Sequence, residues 1–339
     1  MAALFAILKA LARLSWRELH TLRTITGNNF IVLVLVVMYQ QPASVYFFFL
    51  ILGVLMIGPL SADPLRKVPA DRLALWPLTP RERLALRFTT PVLAPLAWIS
   101  LPLLFLAGVS AAIALIVLVL VMQLGLELYS RLTGGRPKRN IFRFVPAPPG
   151  RLGGLVRKNI RQMLSALDPY VAVILSAGGF AYRIFASKPD PDATVILSIV
   201  VAIALSTSAQ CLFGLDLPDG LVRYRLYPLR GWEILVAKGI AYLAILLVIV
   251  APLAPLAGLA AGLVAQAVGH HTAVLQPLPQ TRWRLTGGII APAGLIQIVA
   301  MTAVGIAVAR ETPLYLVLAS AGYFVSLWFY GKQWDRLSQ

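Results

Sequence analysis

The histidine pair His270-His271, the aspartates Asp190 and Asp192, and the single thiol Cys211 are the first places to look for chemistry, and by spacing none of them makes a set. Neighbouring histidines on a helix point about 100° apart, and no carboxylate converges on them in sequence. One cysteine excludes an internal disulfide and a cysteine-cluster metal site. No G-x-x-x-x-G-K-[ST] phosphate loop occurs, since Gly331-Lys332 lacks the preceding glycine. No catalytic or metal-binding residues are therefore assigned. Three polar residues fall inside apolar stretches: Gln297 near the middle of 286–308, and Gln123 and Glu127 towards one end of 110–128. They either bond between helices or line a pathway. Ionisable groups at that depth are few, which argues against an ion-coupled carrier and is compatible with a lipidic, hydrophobic or peptide cargo.

The elements that must position these residues are membrane helices. With 59% hydrophobic and 13% charged residues and a mean hydropathy of +0.81, the chain is too apolar for an ordinary soluble domain. Its apolar runs are continuous rather than alternating, so the expected class is all-α, a polytopic membrane protein. Ten spans are expected. The first contains "FIVLVLVVMYQQ", and the others cover about 44–60, 84–107, 110–128, 170–186, 193–212, 232–253, 256–269, 286–308 and 314–330. A stripe of small residues, Gly258-Leu-Ala-Ala-Gly262, marks a close helix contact.

Two amphipathic helices accompany the spans. In residues 4–24 the leucines fall on one arc, with Lys9, Arg13, Arg17 and His20 opposite, as on a membrane-surface helix. Lys9, Arg13 and Arg17 and the lack of a small-residue cleavage site mark this segment as retained rather than a signal peptide. Glu18 alone breaks the apolar arc, either reaching water at the helix edge or touching a partner. Residues 151–166 form the second amphipathic helix. The formal charge of +17 sits between spans rather than on one soluble face, so anionic lipid, not nucleic acid, is its expected counterpart. With both termini cytoplasmic, the basic loops containing Arg72, then Arg136 and Lys138, then Arg223 and Arg225 all fall inside.

Two of those loops match. "LALWPLTPRERLALR" (73–87) aligns without a gap with "YRLYPLRGWEILVAK" (224–238), pairing Pro77 with Pro228, Glu82 with Glu233 and Arg87 with Lys238. Arg72 and Arg223 match at the same offset. Each stretch leads from a basic segment into an apolar run, so two parallel repeats are expected: 1–130 with four spans and 151–339 with six, joined by a basic linker at 131–150. Thr79-Pro80-Arg81-Glu82 has the spacing of a capping box, and Glu233 likewise falls in a first helical turn. Arg87 and Lys238 are expected to snorkel to the membrane surface.

The stretch "YPLRGWEILVAKGIAYL", with "FGLDLPDGLVRYRLYPL" before it, resembles membrane subunits of ABC exporters of the ABC-2 superfamily; the likeness is fuller over 150–339 than over 1–130. The resemblance implies interface helices at 4–24 and 151–166. It implies coupling segments at 62–78 and 214–229 that touch an ATPase, with Arg72, Glu82, Arg223, Arg225, Glu233 and Glu18 as docking candidates. It also implies that the ATP-binding subunit is a separate chain holding ATP and magnesium, that this chain has no enzymatic activity of its own, and that it resides in a bacterial cytoplasmic membrane. The four-span first half and the fused repeats depart from the family plan and leave open whether a second permease chain is needed. A non-transporting scaffold that recruits an ATPase, and an intramembrane lipid-modifying enzyme, are the rival readings.

Overall fold

The structure is a computed structural model that describes residues 2–20, 65, 75–93, 105, 109–132, 141–216, 224, 228–278, 280, 286 and 292–338. Described elements are helical throughout, and the chain divides into two compact units, with the described part of the first within 2–132 and of the second within 141–338. Arg72, Arg223, Arg225 and the first two expected spans lie outside the described residues.

In the first unit, α1 (Ala2–His20) carries the apolar arc seen in the sequence. Leu4, Ile7, Leu8 and Leu11 pack with Leu78 and Leu86, while Lys9 and Arg13 stay exposed. Leu86 belongs to α2 (Pro80–Thr89), which starts on a complete capping box. Thr79 N donates to Glu82 Oε2 at 3.0 Å, and Glu82 N donates to Thr79 Oγ1 at 3.3 Å. Pro91 has no amide to continue the α-helical ladder, and the chain passes into a 3-10 turn at Thr90–Leu93. The run expected to be one span from 84 to 107 thus contains a helix end. A third helix, α3 (Val109–Leu132), carries Gln123 and Glu127.

The second unit begins with α4 (Gly153–Met163), then bends by 76° into α5 (Asp168–Phe185). Five helices follow: α6 (Pro191–Gln210), α7 (Gly231–Val250), α8 (Pro255–Leu275), α9 (Ala293–Arg310) and α10 (Leu314–Ser338). Helices α6, α7, α9 and α10 are each long and apolar enough to cross a membrane, and the α4–α5 pair makes a fifth span if counted as one. Ten spans were expected; four or five are found among the described residues. The apolar run of α8 is interrupted by Gln266, His270 and His271, yet this continuous helix forms the centre of the unit, touching α6, α7, α9 and α10.

Close approach explains the small residues of α8. A Cβ on Gly262 would lie 2.0 Å from Leu246 Cδ2, and one on Gly258 would lie 2.6 Å from Ser198 Oγ. At Gly269 the obstruction is backbone: Ala209 C and O would both stand 2.8 Å away. Alternating helix directions give the unit two ends. One, the motif end, holds the start of α7 and the ends of α6, α8 and α10. At the other, Arg310 Nη2 meets Asp192 Oδ2 at 2.6 Å and Arg183 donates to Pro252 O at 3.3 Å.

Candidate functional site

Helix α6 stops at Gln210, and the chain turns through a short 3-10 segment at Gly214–Asp216, with Asp216 N donating to Phe213 O at 2.9 Å. This turn carries Asp216 under the inner ends of α4 and α7. Its two carboxylate oxygens are divided between them. Oδ1 accepts from Lys158 Nζ and Gln162 Nε2, both at 2.9 Å and both on α4. Oδ2 accepts from Lys238 Nζ of α7 at 2.7 Å and from Tyr224 Oη at 3.0 Å. Lys158 and Gln162 are four residues apart, so one helical face presents both donors.

Lys238 was expected at the membrane surface, but it is 1% exposed. Seven residues into α7, its stem cannot reach water past the residues that cover it; instead its ammonium finds three oxygen acceptors and two ring faces. Nζ donates to Leu212 O at 2.6 Å and to Asn159 Oδ1 at 3.4 Å, besides Asp216. It lies 4.7 Å from the centre of the Phe213 ring and 5.5 Å from that of Tyr224. Phe213 stacks in turn on Trp334 of α10, at 4.3 Å between ring centres. Burial alone would raise the Asp216 carboxyl, but the Lys238 ammonium, with the hydrogen bonds from Gln162, Lys238 and Lys158, outweighs it and holds the group well below the usual aspartate range. A cavity of about 20 Å³ adjoins the cluster, lined by Asn159, Gln162, Ser208, Cys211, Lys238 and Gln280, and has room for one water molecule.

A second set of bonds ties the start of α7 in place. Arg230 N donates to Glu233 Oε2 at 2.8 Å, the same contact that Thr79 makes to Glu82. The helices begin at aligned residues, Pro80 and Gly231, but α2 ends at Thr89 while α7 continues to Val250. The aligned cations also differ, since Arg87 is exposed where Lys238 is buried. Arg151, just before α4, donates to Pro228 O at 2.9 Å and lies 3.9 Å from Glu233 Oε1. Asp335 of α10 accepts from Gly231 N at 2.6 Å, satisfying an amide that the helix itself leaves open.

The remaining candidates are dispersed. Gln297 is fully buried, donating to Ala265 O at 2.7 Å and accepting from Gln210 Nε2 at 2.6 Å, so it bonds α6, α8 and α9 together. The side chains of Gln123, Glu127 and Glu18 lie outside the described residues. His270 is buried with Nδ1 3.0 Å from Ser326 Oγ, whereas His271 is exposed, so the two rings diverge. No group of three metal-ligating side chains occurs among the described residues. Asp216, Lys158, Gln162 and Tyr224 were not singled out by spacing. The available signal was a lone aspartate in the apolar run "CLFGLDL" and an i, i+4 pair of donors on an amphipathic helix. Compared with family models, curated proteins and solved structures, the chain matches none of them.

Proposed function

We propose that this chain is the membrane-spanning permease subunit of an ATP-driven exporter of the ABC-2 type, moving cargo with energy supplied by a separate ATP-hydrolysing subunit. One observation carries this reading: an amphipathic basic helix, α4, and Arg151 just before it are bonded to the residues that lead into the Pro-Leu…Glu…Lys helix start, Arg151 to Pro228 and Lys158 and Gln162 to Asp216. An exporter driven from one face needs a surface helix, a loop and a membrane helix in mechanical contact, and these bonds join all three.

Charge distribution supports the orientation. The motif end carries Arg151, Arg157, Lys158, Arg161, Arg230, Lys332 and Arg336 beside fewer acids, whereas Arg183, Lys188 and Arg310 at the other end are balanced by Asp190, Asp192 and Glu311. By the positive-inside bias the motif end faces the cytoplasm, where an ATPase holding ATP and magnesium would dock. Arg72, Arg223, Arg225, Glu82, Glu233 and Glu18 remain the docking candidates, and the two-repeat organisation belongs to the same proposal. The carboxylate of Asp216 is saturated with donors and 6% exposed, which suits a structural junction better than a reaction centre. Gln297, bonded on both its amide atoms, likewise suits a helix tie better than a pathway lining.

Purification in mild detergent tests the reading. An ATP-hydrolysing partner is expected to copurify with the chain, and charge reversal at Arg72 and Arg223 is expected to weaken its retention. Absence of any such partner would contradict it. Cargo movement in reconstituted vesicles then separates an exporter from a scaffold that only recruits the ATPase.

A further inference from the structure

We propose that Asp216 is a split joint, its Oδ2 holding Lys238 as a permanent anchor and its Oδ1 holding Lys158 and Gln162 as a releasable clasp through which α4 engages the membrane bundle.

The two halves of the carboxylate sit in different surroundings. The Lys238 side chain is 2% exposed, paired at 2.7 Å, and fixed further by Leu212 O and two aromatic faces. Releasing it would leave a cation inside the bundle with room for no more than one water beside it, a strongly unfavourable change. The Lys158 side chain is 47% exposed, although its pairing distance is a similar 2.9 Å. When it lets go, solvent rehydrates the ammonium at once, so this bond opens at far smaller cost. Gln162 likewise trades one hydrogen bond to the carboxylate for water.

The two halves share Tyr224, whose Oη accepts from Lys158 Nζ at 3.2 Å while donating to Asp216 Oδ2 at 3.0 Å. Opening the clasp leaves Asp216 with Lys238 and Tyr224, so the buried carboxylate never loses its counter-charge. Helix α4 still touches α7 through Val156 against Ala237 and Ala241 and through the long 3.4 Å bond from Lys238 Nζ to Asn159 Oδ1. The 76° bend after α4 and Gly153, whose approach to Pro148 leaves no room for a side chain, bound the segment that would move. The inference rests on the proposed function in one respect: α4 is taken as the helix that a docked ATPase displaces.

Hydrogen exchange on the full chain in detergent, with its native partner retained, tests both parts. In Lys158→Ala/Gln162→Ala, exchange along α4 is expected to rise about tenfold while α6 and α7 keep their protection. In the wild-type chain, added salt should accelerate α4 exchange through screening of Lys158, and the double variant should lose that response. Lys158→Arg is expected to restore protection. Unchanged α4 protection, or simultaneous loss along α4 and α7, would overturn the joint. ATP hydrolysis reports the other part: the double variant should retain its ATPase but lose coupling between hydrolysis and cargo movement. A partner whose coupling is unaffected overturns the role in transmission. No ATPase in the wild-type preparation overturns the proposed function, and the exchange result still decides the joint.

Discussion

Removing Asp216 strands the buried Lys238 ammonium, and removing both does not. Asp216→Asn is therefore expected to destabilise the second unit by about 3–5 kcal/mol, and Asp216→Asn combined with Lys238→Met by distinctly less, in denaturant unfolding of the detergent-solubilised protein. The pH dependence has a fixed sign. The Asp216 carboxyl is held below its ordinary value, so its contribution is complete above the unfolded aspartate value of about 4 and is lost as pH falls towards the lower folded value. Asp216→Asn should flatten that acid limb of the stability curve. At this scale the sequence was least informative. Lys238 looked like a snorkelling cation because its stem is long and it stands only about 10 Å into its helix. What it could not reveal is that Asp216, 22 residues earlier, folds back over the same place.

Helices α6, α7, α8 and α10 start close to where the apolar runs begin, and at α6, α8 and α10 Pro191, Pro255 and Pro313 each sit at or beside the helix start. Glu82 and Glu233 were legible as helix-start residues, since a carboxylate in the first turn meets open amides whatever the tertiary setting. The bend between α4 and α5 and the halt of α2 at Thr89 were not, because apolar content alone does not distinguish a straight span from a broken one. Packing at α8 gives an element-scale prediction. Gly262→Ala meets a movable leucine side chain and should cost little after repacking, on the order of 1 kcal/mol, while Gly269→Ala meets the Ala209 backbone and should cost more, about 1–3 kcal/mol. Thermal unfolding of the two variants compares them directly.

For the whole molecule, the charge asymmetry between the two ends of the second unit predicts its orientation. Cysteine placed at Lys188 should react with an impermeant thiol reagent from outside the cell. Cysteine at Gly154, an exposed position with open space around it, should react only after the membrane is opened. The converse pattern would invert the bundle. Composition made the membrane class plain, and the matching stretches at 73–87 and 224–238 made two related helix starts plain. Beyond those starts the proposed duplication has no counterpart in the described helices, since α2 and α7 share a beginning but not a length. The claim on which the rest depends is that an ATP-hydrolysing partner works on this chain through its motif end. It is tested most directly by comparing hydrogen exchange in the native complex, nucleotide-free and trapped during ATP hydrolysis. Exchange is expected to change along α4, with residues 231–250 unaltered. A native preparation without ATPase activity, or trapping that leaves α4 unchanged, would contradict it.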